Sequence, residues 1–182
     1  MYDLTTNLVM DKIENEMVTF IRDRCIEHRI ITEEDLQVVS YSFLLDIFIE
    51  TRWYDDWRAF NKLYDKKQAK YPDLTLFRGT SKKIILELKQ EVDRDVTKED
   101  IGEDIAKVSG ILSGDEELSF GVVLATILDP IREIRNWLND EYSEQLKNDK
   151  LKLILIDVSE NIGDISNWID QHHEMKQAFR RA

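Results

Sequence analysis

Two carboxylates and an amine stand at the ends of one apolar stretch: Asp73, Glu87 and Lys89 within YPDLTLFRGTSKKIILELKQ, residues 71–90. Carboxylates held close together repel each other unless a cation sits between them, and hard oxygen ligands suit Mg²⁺ or Mn²⁺. An ammonium beside such a pair can position or deprotonate a water, or neutralise charge building up on a phosphate. An acid two residues ahead of a lysine occurs three times in the chain, as Asp65–Lys67, Glu87–Lys89 and Glu174–Lys176. Only the middle pair closes a β-rich apolar run, and only it follows a Pro-Asp placed at the start of a preceding strand. The competing interpretation is a hairpin with solvated charged ends and a surface Glu–Lys pair worth little energetically.

The elements that must position these residues are two strands, Leu74 to Phe77 and Ile84 to Leu88, joined by Arg78-Gly79-Thr80-Ser81 with turn chemistry. A three-residue loop of Gly79, Thr80 and Ser81 pairs Arg78 with Lys82 and brings Asp73 opposite Glu87. Alternation then gives Asp73, Glu87 and Lys89 one face, with Leu74, Leu76, Ile84, Leu86 and Leu88 on the other. A shift of one residue would set Asp73 against Leu86 and break the cluster.

Pro72-Asp73, thirteen intervening residues and then Glu87-Leu88-Lys89 resembles the signature of the PD-(D/E)XK nuclease superfamily. The resemblance spans residues 32–159. It implies that Asp73 and Glu87 bind the divalent metal, with the Leu88 carbonyl as a further ligand, and that Lys89 assists the attacking water. It also implies a further acid from the first core helix, for which Glu34, near the helix start, is preferred over Asp46 and Glu50. The implied activity is Mg²⁺- or Mn²⁺-dependent hydrolysis of phosphodiester bonds, in DNA rather than RNA. A variant resembling cap-snatching RNA endonucleases would use a histidine on an upstream helix, the place of His28.

The remaining pattern reads as helices and strands in alternation. An amphipathic helix runs from Asp11 to His28 on Ile13, Met17, Phe20, Ile21 and Cys25. A second follows the cap-like Thr32-Glu33-Glu34-Asp35 and continues to Glu50. Residues 51–70 are ambiguous: Trp53, Tyr54, Trp57, Phe60 and Tyr64 are partly at helical spacing, whereas the resemblance places a first strand here. A helix from Thr97 to Leu112, a buried strand Ser119 to Leu128, a helix capped by Asp129-Pro130, a strand Leu151 to Ser159 and a final helix from Asp164 complete the order. The resemblance implies that the first of these helices can present polar residues, Lys107 or Asp104, toward the active site, but surface placement is expected for both, as it is for the adjacent His172 and His173 on the last helix. The expected fold is α/β: a mixed central sheet flanked by helices, a restriction-endonuclease-like core with an N-terminal helical extension. It forms a single domain, with residues 1–31 as extension, 32–159 as core and 160–182 as C-terminal helix.

Composition bounds the function. The single cysteine, Cys25, excludes an internal disulfide and suits a reducing compartment. With no signal pattern and no apolar run of membrane-spanning length, a cytoplasmic protein is expected. The net charge of −12 argues against tight unaided binding to long duplex DNA, since phosphate contacts supply most of such affinity. Lys62, Lys66, Lys67 and Lys70 ahead of the Pro-Asp, Lys82 and Lys83 at the turn, and Arg180-Arg181 offset this locally. The same charge suits a protein partner, so a non-catalytic interaction module on the same fold is the alternative from a different class. A homodimer would allow two strands to be cut.

Overall fold

The computed structural model describes residues 4–53, 55–61, 72–91, 98–128, 131–159 and 162–179. Lys62, Lys66, Lys67, Lys70, Tyr54, Tyr64, the Thr97 and Asp129-Pro130 caps and Arg180-Arg181 lie outside them. The described chain is α/β, with helices on both faces of one five-stranded mixed sheet. Strands β1 (Trp57–Asn61), β2 (Leu74–Arg78) and β3 (Ser81–Glu91) form an antiparallel meander. Helix α4 (Lys98–Gly114) then leads to β4 (Phe120–Ile127), parallel to β3. Helices α5 (Ile131–Glu141) and α6 (Ser143–Leu146) lead to β5 (Leu151–Asp157), parallel to β4. Before the sheet come α1 (Leu4–Lys12), a π-helical turn (Ile13–Met17), α2 (Val18–Ile26) and α3 (Glu33–Glu50). After it comes α7 (Ile165–Phe179). Among the described residues no helix is long and apolar enough to cross a membrane.

Strand alternation divides the core into two layers. Leu74, Leu76, Ile84, Leu86, Leu88, Val122, Leu124 and Ile156 pack with the N-terminal helices and Trp168 of α7. Ile85, Val123, Ala125, Ile127 and Leu155 face α4 and α5 instead. All eight residues of β4 are buried, as expected for a central parallel strand covered on both faces. Gly121 in that strand is required by close packing: a Cβ there would overlap Val108 Cγ1 and lie 3.0 Å from Leu112 Cδ1. Val108 is β-branched on a helix and has little rotamer freedom with which to yield. Gly121→Ala is therefore expected to cost about 1–3 kcal/mol, read as a lower urea midpoint with an unchanged m-value.

Three features depart from the sequence expectations. The first helical segment starts at Leu4 and ends at Ile26, longer at its N-terminus than the Asp11–His28 reading. The ambiguous aromatic segment holds β1, with Trp57 and Ala59 buried and Arg58 and Phe60 exposed. Strand alternation, rather than helical spacing, organises those aromatics.

The hairpin loop is two residues, Gly79-Thr80, with Arg78 opposite Ser81, and not the expected three. Gly79 has φ +60° at the first central position, where a two-residue turn of the II′ kind needs glycine. A bulge then opens between Leu76 and Phe77: Phe77 pairs with Lys82, but Leu76 pairs with Ile84. The additional residue, Lys83, restores the expected pairing of Leu74 with Leu86 and hence brings Asp73 level with Glu87. The loop differed and the register at the Asp73–Glu87 end did not.

Candidate active site

The row of β3 side chains that faces α4 begins apolar, with Ile85, and then turns charged at Glu87 and Lys89. Glu87 is only 3% exposed and Asp73 8%. Asp73 sits at the start of β2, where the ladder to β3 ends, and its carboxylate takes over as acceptor: Leu88 N–H donates to Oδ2 at 2.8 Å. The other oxygen, Oδ1, accepts from Gln37 Nε2 at 2.8 Å. A carboxylate has about four lone-pair directions, so both oxygens retain room for a further partner.

Glu87 Oε2 accepts from Lys107 Nζ of α4 at 2.7 Å, while Oε1 is buried with no hydrogen-bond partner. Lys89 Nζ lies 3.4 Å from Glu33 Oε2 of α3 and 3.8 Å from Asp104 Oδ2 of α4. The cluster therefore joins four carboxylates, Asp73, Glu87, Asp104 and Glu33, to two ammonium groups, Lys89 and Lys107. Four minus two leaves an excess of two negative charges when all are ionised.

Burial, more than that excess, governs the protonation of the site's acids. Burial pushes Glu87 up to about 8, and the neighbouring Asp73 adds to the rise; Lys107 opposes it without cancelling it. Asp104 is raised to about 6, again chiefly by burial, with Lys89 and Lys107 pulling the other way. Burial works against the charge on Lys89, but Asp104, Glu33 and Asp100 together outweigh it, and the ammonium is held above its ordinary value. Lys89 thus stays a charged hydrogen-bond donor at neutral pH, suited to orienting a water or phosphate oxygen and unsuited to removing a proton.

Asp73, Glu87 and Lys89 come together at this end of the sheet. Glu34 does not join them: it is exposed, as are Asp46 and Glu50. The helix acid in contact is Glu33, half-buried, with Gln37 one turn beyond it. For Lys107 and Asp104 the sequence favours surface placement over a turn toward the site, whereas both turn inward to the cluster.

The signal for these residues lies in the helical stripes. On α3, stepping back from buried Leu44 through Ser40 and Gln37 reaches Glu33, not Glu34. On α4, stepping back from buried Ile111 reaches Lys107 and then Asp104. Each apolar stripe continues N-terminally into polar residues, and both polar ends meet the same part of β3. The helix start itself was legible, since Thr32 and Asp35 form a reciprocal capping box.

The histidines lie elsewhere. His172 is fully buried and not at the surface as expected; it stacks on Trp168 with ring centroids 5.1 Å apart. His28 stacks on the same indole at 4.7 Å, which holds it against α7 and not against the carboxylates. Burial, followed by the nearby His28 and His173, pushes His172 down to about 4. Cys25 is buried and its thiol is pushed up to about 12, chiefly by that burial; it is chemically inert at neutral pH.

Among the described residues no three His, Cys, Asp or Glu side chains converge as a ready-made metal ligand set. The cluster offers two carboxylates instead, Asp73 with spare lone pairs and Glu87 with an unpartnered oxygen. No protein-family model, curated protein or solved structure matches the chain.

Proposed function

We propose that this site binds one Mg²⁺ or Mn²⁺ between Asp73 and Glu87 and hydrolyses phosphodiester bonds, in DNA rather than RNA, on a restriction-endonuclease-like core. The observation that carries the proposal is the buried Asp73–Glu87 pair, whose Glu87 Oε1 has no partner in a cluster whose four carboxylates outnumber its two ammonium groups. A divalent cation supplies the missing charge, and a site with one or two carboxylates suits Mg²⁺, which keeps several waters and takes substrate oxygens for the rest. The topology supports the same reading. A helix precedes three meandering strands, and a helix–strand unit adds the next strand in parallel.

When bound, the cation lowers the pKa of a coordinated water and neutralises charge on the phosphate. The chain's own residues do the remaining work. Gln37 and the Leu88 N–H fix both oxygens of Asp73, so this carboxylate is oriented before anything binds. Lys89, held charged between Glu33 and Asp104 and 21% exposed, donates hydrogen bonds to the attacking water or a non-bridging phosphate oxygen. In the hydrolysis the water oxygen would bond to phosphorus as the bond to the leaving oxygen breaks, with the water's proton released to solvent and the leaving oxygen taking one from solvent.

Titration with Mn²⁺ followed by heat denaturation tests the proposal. One binding event is expected, with stabilisation of about 2.7 kcal/mol at a hundredfold excess over Kd, alongside metal-dependent cleavage of DNA. No shift at ~10 mM Mn²⁺, where a weak site still stabilises by mass action, would overturn the catalytic reading. A non-catalytic interaction module, consistent with the net charge of −12, would take its place.

A further inference from the structure

Lys107 holds one oxygen of the Glu87 carboxylate, whose other, unpartnered oxygen a cation would take. Its Nζ is 2.7 Å from Glu87 Oε2, yet its side chain remains 27% exposed while Glu87 is 3% exposed. The lysine thus reaches from solvent into the site, at the end of a flexible stem with three rotatable donors. Lys89, 21% exposed, reaches the same carboxylate cluster through Asp104, which lies one helical turn before Lys107 on α4. Both ammonium groups are part-exposed and both contact acids of this one cluster.

Resting on the metal-dependent reading above, we infer that Lys107 is an exchangeable counter-ion that becomes a substrate-phosphate contact. In the metal-free chain it partners Glu87. Once a divalent cation takes Glu87, the ion pair loses its purpose, and the ammonium turns outward to a non-bridging oxygen of the phosphodiester. Lys107 and Lys89 then hold the phosphate from two sides. The exchange leaves the buried Glu87 with a partner in both states, Lys107 without metal and the cation with it, and an unsatisfied buried acceptor is costly. It also gives an acidic protein a local anion contact that forms only in the metal-loaded site.

The test compares wild type, Lys107→Met and Lys107→Arg in Mn²⁺, with a hydrolysis-resistant phosphorothioate single-stranded DNA oligonucleotide as the probe, over a series of salt concentrations. Wild type and Lys107→Met are expected to bind Mn²⁺ with the same affinity, or the variant more tightly, because a competing ammonium is gone. Lys107→Met is expected to bind the oligonucleotide about tenfold more weakly, the worth of one charged hydrogen bond. Its plot of log affinity against log salt should be shallower by about 0.7, the single-strand value for one phosphate contact. Lys107→Arg should restore both.

Unchanged oligonucleotide affinity and salt slope in a Lys107→Met chain that binds Mn²⁺ would overturn the inference and leave the metal site standing. Weaker Mn²⁺ binding by that variant would also overturn it, by showing that Lys107 supports the ligand instead of competing for it. Failure of wild type to bind Mn²⁺ would remove the metal-dependent reading itself, and the inference with it. Should Lys107→Met not fold, Lys107→Gln, which keeps a donor for Glu87 without the charge, is measured in the same way against the same outcomes.

Discussion

Glu87→Gln is expected to preserve or raise the stability of the metal-free protein while erasing its response to Mn²⁺. The two effects have opposite value to the molecule, which is what makes the variant informative. Glutamine matches glutamate in shape and retains an oxygen to accept from Lys107, so the 2.7 Å contact has a replacement. It removes the charge whose burial and proximity to Asp73 raise Glu87 to about 8. Relief of that repulsion offsets the weaker pairing with Lys107. The metal-free variant should therefore lie within about 1 kcal/mol of wild type, within the ordinary range for point mutations, or above it in alkaline buffer. Loss of a ligand carboxylate should reduce Mn²⁺ affinity by more than the 10–100-fold that an outer-shell partner typically contributes. Chemical denaturation with and without Mn²⁺ reads both effects. Equal stabilisation of variant and wild type by Mn²⁺ would place the metal elsewhere.

The second large effect is a loss of stability with rising pH. Glu87 goes from an ordinary value of 4.5 to about 8 in the folded chain, so between those values the folded state holds more proton than the unfolded state. Stability is then greatest at the acid end and declines as pH rises. Asp104, raised from 3.8 to about 6, acts in the same direction below pH 6. His172 acts in the opposite direction: lowered from 6.5 to about 4, it favours folding above pH 6.5 and withdraws that support as pH falls towards 4. The window from pH 6.5 to 8 isolates Glu87. There the metal-free protein should lose about 2 kcal/mol, at no more than about 1.4 kcal/mol per unit. Mn²⁺ bound as proposed would hold Glu87 ionised and should flatten this decline, as should Glu87→Gln. Urea midpoints across the window, in chelator and in Mn²⁺, provide the measurement. A flat profile in chelator would show that Glu87 is not held protonated.

How far the sequence reveals this arrangement depends on the length scale of each signal. Alternation along β2 and β3 is local, and it separated Leu86 and Leu88 from Glu87 and Lys89 correctly. The register was legible because apolar burial constrains it, even though the turn was misassigned. A two-residue loop followed by the Lys83 bulge and an unbroken three-residue loop give the same pairing further along. The helix N-terminus at Glu33 was legible from the Thr32–Asp35 capping pattern, which acts within one turn. The helix acid was not, because choosing Glu33 over Glu34 requires following the α3 stripe as far as Leu44. Lys107 and Asp104 were harder still. Charged residues on an amphipathic helix are ordinarily solvated, and only the charged end of the β3 row gives them a reason to turn inward. His172 escaped notice through its pairing with His173, although its separation of four from Trp168 places the two rings on one helical face.

The π-helical turn at Ile13–Met17 has a consequence for chain length. Val9, Ile13, Met17, Ile21 and Cys25 are all buried at a strict spacing of four. In a regular α-helix each such step overshoots a full turn by about 40°, which would carry the stripe around to solvent by its end. The wider turn absorbs that drift at its centre, accommodating in effect one residue more than an α-helix would need. Removing a single residue between Ile13 and Met17 would convert the segment to uninterrupted α-helix and bring Val9, Met17 and Ile21 into line at the spacings of seven and eleven that a regular helix favours. This arm is therefore a place where the protein can change length by one residue and keep its buried face, a freedom that β3, with Glu87 and Lys89 set by strand parity, does not share.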